Sequence, residues 1–276
     1  LSAEAIEQAI ALNGEAVEMN RAAFRWGRRA AVDLASVEAL AKPAAPDPAR
    51  AMSTSIDDVI ARRVEFLTAY QDAAYAARYR RRVDAARAAE TSRTADRSGF
   101  AEAVARYLFK LMAYKDEYEV ARLHADQAFL KQVRNEVDGD NLRLTFHLSP
   151  PLLAKRNSTT GEPLKMSFGP WILPVFGALS RLKFLRGTPF DPFGYTDERK
   201  TERQLLRDYE TLVDELVAKL TPENHDLAVG LAAIPEKIRG FGHVKRRHIA
   251  AAKAEEATLM EQFRAGSGTP MLKAAE

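Results

Sequence analysis

The run Arg239-Gly240-Phe241-Gly242-His243-Val244-Lys245-Arg246-Arg247 has the composition of an anion site. Glycines ahead of a helix leave backbone N–H groups free to face a negative charge, and the helix dipole favours one there. Lys245, Arg246 and Arg247 then fall in the first turns, where positive charge is unfavourable unless something acidic offsets it. A phosphate-bearing ligand or an acidic partner surface would do so. Arg239, Gly240, Gly242, Lys245 and Arg246 are therefore the candidate anion- or partner-binding residues. The plainer alternative is a tight inter-helix turn whose cations pair with nearby carboxylates. Lys115 is the second position of interest, because it falls on the apolar stripe of Val104, Leu108, Leu111 and Tyr118. An inward lysine either snorkels or pairs with a buried acid, and a desolvated one could move protons. Here an ion-pair network with Asp116, Glu117, Glu119 and Arg122 is the simpler expectation. His147, on the polar side of a strand, is the remaining candidate catalytic group.

Other chemistry is poorly served. The chain has 276 residues and no cysteine, which removes disulfides, thiolate nucleophiles and iron–sulfur ligation. Its five histidines, His124, His147, His225, His243 and His248, never recur at the three- or four-residue step that shares a helix face, so no metal site is expected. No Gly-x-Ser-x-Gly elbow proposes a nucleophile. The basic run Tyr79-Arg80-Arg81-Arg82 could meet nucleic acid, but its cations wrap around a helix and acids follow soon after. A solvated or ion-paired face is expected there.

The elements that would position these groups are mostly helical. Ser2 caps a first helix that Asn13-Gly14 ends or interrupts, and a second helical run follows. Prolines at 43, 46 and 48 make residues 42–54 a linker. Ser55 opens a long helix that turns basic at Arg78 to Arg82 and polar by Arg93. Another is expected over 100–123, and a short one within 126–137. The period then becomes two: Leu142, Leu144, Phe146 and Leu148 alternate with polar residues, and a second strand at 163–168 completes a β-hairpin over about 141–169. Residues 171–185 read as a mostly apolar helix. Asp191-Pro192-Phe193-Gly194 suits a type I turn. Thr196 caps the next helix, Pro222 sits at the first position of another, and a final helix runs to about Phe263. Residues 266–276 are expected to be disordered. The fold class is mainly α, a multi-helix bundle-like domain with one small hairpin.

The bulk figures fit a soluble cytoplasmic protein: 46% hydrophobic, 29% charged, net charge +3 from 41 basic and 38 acidic residues. No apolar run is long enough for a membrane span and no secretory leader opens the chain, so no membrane partner is expected.

Two sets of residues carry a family resemblance. Leu1-Ser-Ala-Glu-Ala-Ile-Glu-Gln-Ala-Ile-Ala-Leu-Asn-Gly14, with Asn20, Ala23-Phe24 and Gly27-Arg28, resembles the last helices of the gamma-type domain of 2-oxoacid:ferredoxin oxidoreductases. Leu111-Met-Ala-Tyr-Lys-Asp-Glu-Tyr-Glu-Val-Ala-Arg-Leu123, Phe190-Asp-Pro-Phe-Gly194 and Ile238-Arg-Gly-Phe-Gly-His-Val-Lys245 resemble the uncharacterised C-terminal domain of fused bacterial indolepyruvate ferredoxin oxidoreductases. The resemblance implies an enzyme that oxidises 2-oxo acids with thiamine diphosphate and Mg2+. Electrons would pass through an iron–sulfur cluster to ferredoxin, and an acyl-coenzyme A would be released. It implies gamma-type helices over 1–41 and a helical accessory domain over 55–265. The cofactors, and a homo-oligomeric catalytic assembly, belong to domains encoded ahead of Leu1, and no family catalytic residue maps onto this chain. The rival expectation is a stand-alone helical module that binds an acidic protein or nucleic acid through Arg78 to Arg82 and Lys245 to Arg247.

Overall fold

The computed structural model describes residues 1–40, 55–94, 96–136, 143–149 and 164–266. The chain divides into two units, Leu1–Ser53 and Thr54–Glu276. The expected linker at 42–54, the expected hairpin loop and the tail beyond Gly266 lie outside the described residues.

The first unit holds α1 (Ala3–Asn13), α2 (Val17–Val32) and α3 (Leu34–Leu40). Ser2 Oγ accepts the Ala5 N–H at 3.2 Å, and Gly14 closes α1 in the left-handed region at φ 76°, where a Cβ would be strained. Two bonds from Arg25 to Glu7, 2.9 and 2.6 Å long, hold α2 to α1. No residue of these three helices is buried.

In the second unit the long helix expected from Ser55 is two. α4 (Ile56–Tyr70) starts as expected, with Ser55 Oγ accepting the Asp58 N–H. It stops at Gln71, because Asp72 Oδ1 accepts the Tyr75 N–H at 2.8 Å and begins α5 (Ala73–Arg93) afresh. The helix expected over 100–123 divides the same way. α6 (Phe100–Met112) ends, and Asp116 Oδ1 takes the Glu119 N–H at 2.9 Å to start α7 (Glu117–Ala125). α8 follows at Gln127–Glu136. The hairpin is short: β1 (Phe146–Leu148) pairs antiparallel with β2 (Met166–Phe168), Phe146 opposite Phe168.

α9 (Leu173–Arg181) lies between 3₁₀ turns at Pro170–Ile172 and Leu182–Leu185. Asp191 O accepts the Gly194 N–H at 3.1 Å and closes the expected turn. Thr196 caps α10 (Asp197–Lys219). Pro222 is not the first residue of a helix. Asn224 instead ties the connection, its Oδ1 accepting from Thr221 N and its Nδ2 donating to Lys219 O, and α11 begins at His225 (His225–Ala233). α12 (Gly242–Ala265) ends on Gly266.

One apolar core joins α4, α5, α6, α10, α11 and α12, centred on Tyr79, Val83, Phe100, Leu108, Leu216 and Leu231, none of which retains exposure. The phenols buried with it donate to backbone carbonyls, Tyr79 to Ala105 and Tyr209 to Ala232, so their polar ends cost little. A smaller cluster of Ala121, Phe146, Ile172 and Phe176 sets the hairpin against α7 and α9. Two strands need such a backing to be stable. The fold is mainly α with one small hairpin. No described helix is long and apolar enough to cross a membrane.

Candidate functional site: a lysine-lined cavity

The C-terminal end of α6, the first turns of α10 and the turn before α12 enclose a cavity of about 190 Å3. It brings together two residues that the sequence singles out separately, Lys115 and Lys245, with Lys110, Tyr114, Phe241, Glu198 and Glu202 also on its wall.

Each ammonium is placed by a different device. Lys115 does not face the core as expected, because α6 has already ended. It sits in the connection before Asp116, exposed, and makes no ion pair among the described residues. Lys110, on the last turn of α6, donates to Pro235 O at 2.6 Å and Glu236 O at 3.2 Å. Burial, then the neighbouring Arg239, pushes its pKa below the usual lysine value, and Glu236 opposes them. Lys245, in the first turn of α12, is held by the buried carboxylate of Glu202. At Lys245 the cation that the helix dipole disfavours is therefore offset inside the chain, whereas Arg246 and Arg247 are exposed and make no ion pair among the described residues.

Gly240 (φ 85°) and Gly242 (φ 54°) supply the left-handed backbone of that turn. At Gly240 a Cβ would also lie 2.9 Å from Val244 Cγ1. Arg239 and Arg246 do not line the cavity. Arg239 is exposed and paired with Glu236 at 3.2 Å, and Arg246 is exposed. His147 stands apart on the hairpin, its Nδ1 3.0 Å from Ser167 Oγ. The lining sets the three ammonium groups of Lys110, Lys115 and Lys245 against the carboxylates of Glu198 and Glu202.

The basic run on α5 is not a free patch. Arg78 Nε lies 2.7 Å from Glu210 Oε1, Arg82 reaches Glu210 and Asp214 at 3.5 Å, and Arg80 faces Asp84 at 3.4 Å. A nucleic-acid surface there would have to break these pairs first. Among the described residues no three of His, Asp and Glu are grouped to hold a metal.

Three polar nodes have partners that the sequence does not disclose, although Asp116 and Asp191 stand out in it. Glu90 on α5 accepts the N–H groups of Phe100 and Ala101 at 2.8 and 3.0 Å, capping α6, while His225 Nε2 lies 2.8 Å from Glu90 Oε1. Arg186 binds Asp116 through Nε and Nη2, donates through Nη1 to Tyr70 O and Gln71 Oε1, and stacks 3.7 Å from the Tyr70 ring centre. Asp191 accepts from Tyr118 OH and from the N–H groups of Gly187 and Phe193. Burial, then the Asp191 charge, pushes the Tyr118 phenol up, which keeps it a donor.

No curated protein matches the chain, and no solved structure does. A family model matches residues 56–258, from the start of α4 into the last helix, including every residue of the cavity. The chain belongs to that family, the family of unknown function DUF6537.

Proposed function

We propose that the chain is the helical accessory region of a thiamine diphosphate-dependent 2-oxoacid:ferredoxin oxidoreductase acting on indolepyruvate-like substrates. In this reading it holds and docks the domains that perform the reaction and is not itself catalytic. The oxidoreductase part of the reading rests on the resemblance carried by Leu1–Gly14, Leu111–Leu123, Phe190–Gly194 and Ile238–Lys245, and its non-catalytic part on how the second unit uses its buried acids. Glu90, Asp116, Glu119, Asp191, Glu202 and Glu210 are each consumed by a helix cap, an ion pair or a phenol. Catalytic acids and bases need a face left open to substrate.

The residues here do not fit the implied cofactors. A cysteine-free chain offers no thiolate to a cluster, and the described residues group no ligands for Mg2+. Thiamine diphosphate, Mg2+ and the cluster therefore belong, in this reading, to domains encoded ahead of Leu1, with ferredoxin and coenzyme A as partners of the whole enzyme. The Lys115–Lys245 cavity would take an anionic group of a ligand or neighbouring domain.

Two measurements test the proposal. The reading frame ahead of Leu1 should encode thiamine-binding and gamma-type domains. The 276-residue chain alone, given indolepyruvate, thiamine diphosphate, Mg2+, coenzyme A and a viologen dye, should show no turnover, while the full-length product does. A frame without those domains, or turnover by the chain alone, overturns it.

A further inference from the structure

Residues 170–185 carry apolar side chains on two faces. Inward, Ile172 and Phe176 are buried with Ala121 and Phe146, and Leu179 packs against them. Outward, Trp171, Val175, Ala178 and Leu182 recur at steps of four, three and four, the repeat of a single helical stripe. Trp171 is 64% exposed, Val175 50% and Leu182 41%, and Phe184 in the following turn is 62% exposed. At about 200 Å2 per ring, Trp171 and Phe184 alone leave roughly 250 Å2 of aromatic surface in water. With Val175 and Leu182 added, the patch reaches the few hundred Å2 at which exposed apolar surface marks an interaction site. Single exposed apolar residues need no explanation; an ordered stripe does.

Charge identifies what covers it. Among the described residues between Arg143 and Phe190, the charged side chains are Arg143, Lys165, Arg181, Lys183 and Arg186, with no Asp or Glu. Over 143–190 the full sequence carries seven cations and one acid, Glu162, whereas the chain as a whole balances 41 cations against 38 anions, so this segment is strongly basic. Arg186 is committed to Asp116, and Lys183 donates to Ala69 O. Arg143, Lys165 and Arg181 are exposed and make no ion pair among the described residues. Arg181 is on α9 itself. Lys165 adjoins β2, whose Phe168 ring packs 5.9 Å from Trp171. An apolar centre with a cationic margin is complementary to an apolar centre with an acidic margin. The rings of the stripe stand exposed as knobs, for which the partner supplies the pocket.

We propose that the outer face of α9 and its flanking 3₁₀ turns, Trp171, Val175 and Leu182 with Lys165 and Arg181, docks an acid-rimmed protein surface on the catalytic domains of the same polypeptide. This rests on the reading of the chain as an accessory region.

Hydroxyl-radical footprinting of the full-length product and of the 276-residue chain tests it. Oxidation of Trp171 and Phe184 should fall several-fold in the full-length product. Trp171→Asp with Arg181→Glu, both at exposed positions, should restore Phe184 oxidation in the full-length product without changing its helical circular dichroism. Equal labelling of Trp171 in the two proteins, or protection that survives the double variant, overturns the docking face and leaves the accessory reading standing. A reading frame without catalytic domains removes both. Binding of the chain to phosphatidylglycerol vesicles with a blue shift of Trp171 emission, seen with Trp26→Phe, would assign the face to lipid and overturn the protein partner.

Discussion

Replacing Glu90 by alanine should be among the most destabilising single changes in the second unit. The carboxylate caps α6 through the Phe100 and Ala101 N–H groups and meets His225 Nε2, all within 3.0 Å, and Glu90 is only 8% exposed. Truncation leaves two buried N–H donors and one ring nitrogen without their acceptor, each costing about 1–3 kcal/mol. Partial relaxation and entry of water reduce the sum, so a net loss of about 4 kcal/mol is expected. For a unit of this length each kcal/mol lowers Tm by about 2–4 °C, which gives a drop of roughly 8–16 °C. The assay is thermal and urea unfolding at neutral pH, followed by circular dichroism, on wild type, Glu90→Ala, Glu90→Gln and His225→Ala. Glu90→Gln should fall between, because an amide offers one oxygen where two are used. A double-mutant cycle between Glu90→Ala and His225→Ala should show a coupling of about 1–3 kcal/mol. A loss below about 1 kcal/mol for Glu90→Ala, or a coupling of zero, would refute the argument that this carboxylate is the common acceptor of three buried donors.

Three further outcomes follow from other nodes. Gly194→Ala should cost about 1–3 kcal/mol in urea unfolding, since its Cβ would lie 2.7 Å from Asp191 Oδ2 and 2.9 Å from its Cγ; a neutral result would mean that the Asp191 turn moves freely. Arg186→Lys should cost about 3–5 kcal/mol despite keeping the charge, because an ammonium cannot hold Asp116 in two places and also stack on Tyr70; equal stability would show that only charge matters. For Glu215, hydrogen bonds from Arg264 and then Lys219 hold the carboxyl down at about 2, against a usual value of 4.5. A depressed folded pKa means that the tie between α10 and α12 is fully present above about 4.5 and is lost as pH falls toward 2. Side-chain NMR titration should find that low midpoint and an upward move in Arg264→Ala; an ordinary midpoint in wild type would show that the bond does not persist in solution.

Local chemistry was the legible part of this fold. Ser2, Ser55 and Thr196 each cap the helix they precede, because an N-cap needs only a side-chain oxygen and the next three residues. The missed breaks at Gln71 and Lys115 use the same device, through Asp72 and Asp116. There the apolar stripe runs on across the break, and periodicity conceals it. The cavity was legible only in halves. Lys115 and Lys245 each stood out, but their meeting depends on how α6, α10 and α12 pack. Arg78 could not be matched to Glu210 from the sequence, since 132 positions separate them. Glu90 left no local trace, as its ligands belong to a helix start that packing delivers.

The reach of Arg186 along the chain bears on the order in which the second unit assembles. Its partners Asp116 and Tyr70 are 70 and 116 positions away, so its bonds close long loops whose entropy must be met first. Glu90 closes a loop of only 10 to the start of α6. The α5–α6 pair is thus equipped to form early, and the guanidinium to lock a chain already collapsed. Weakening that lock should leave the refolding rate nearly unchanged and speed unfolding, a shortened native lifetime at constant folding speed.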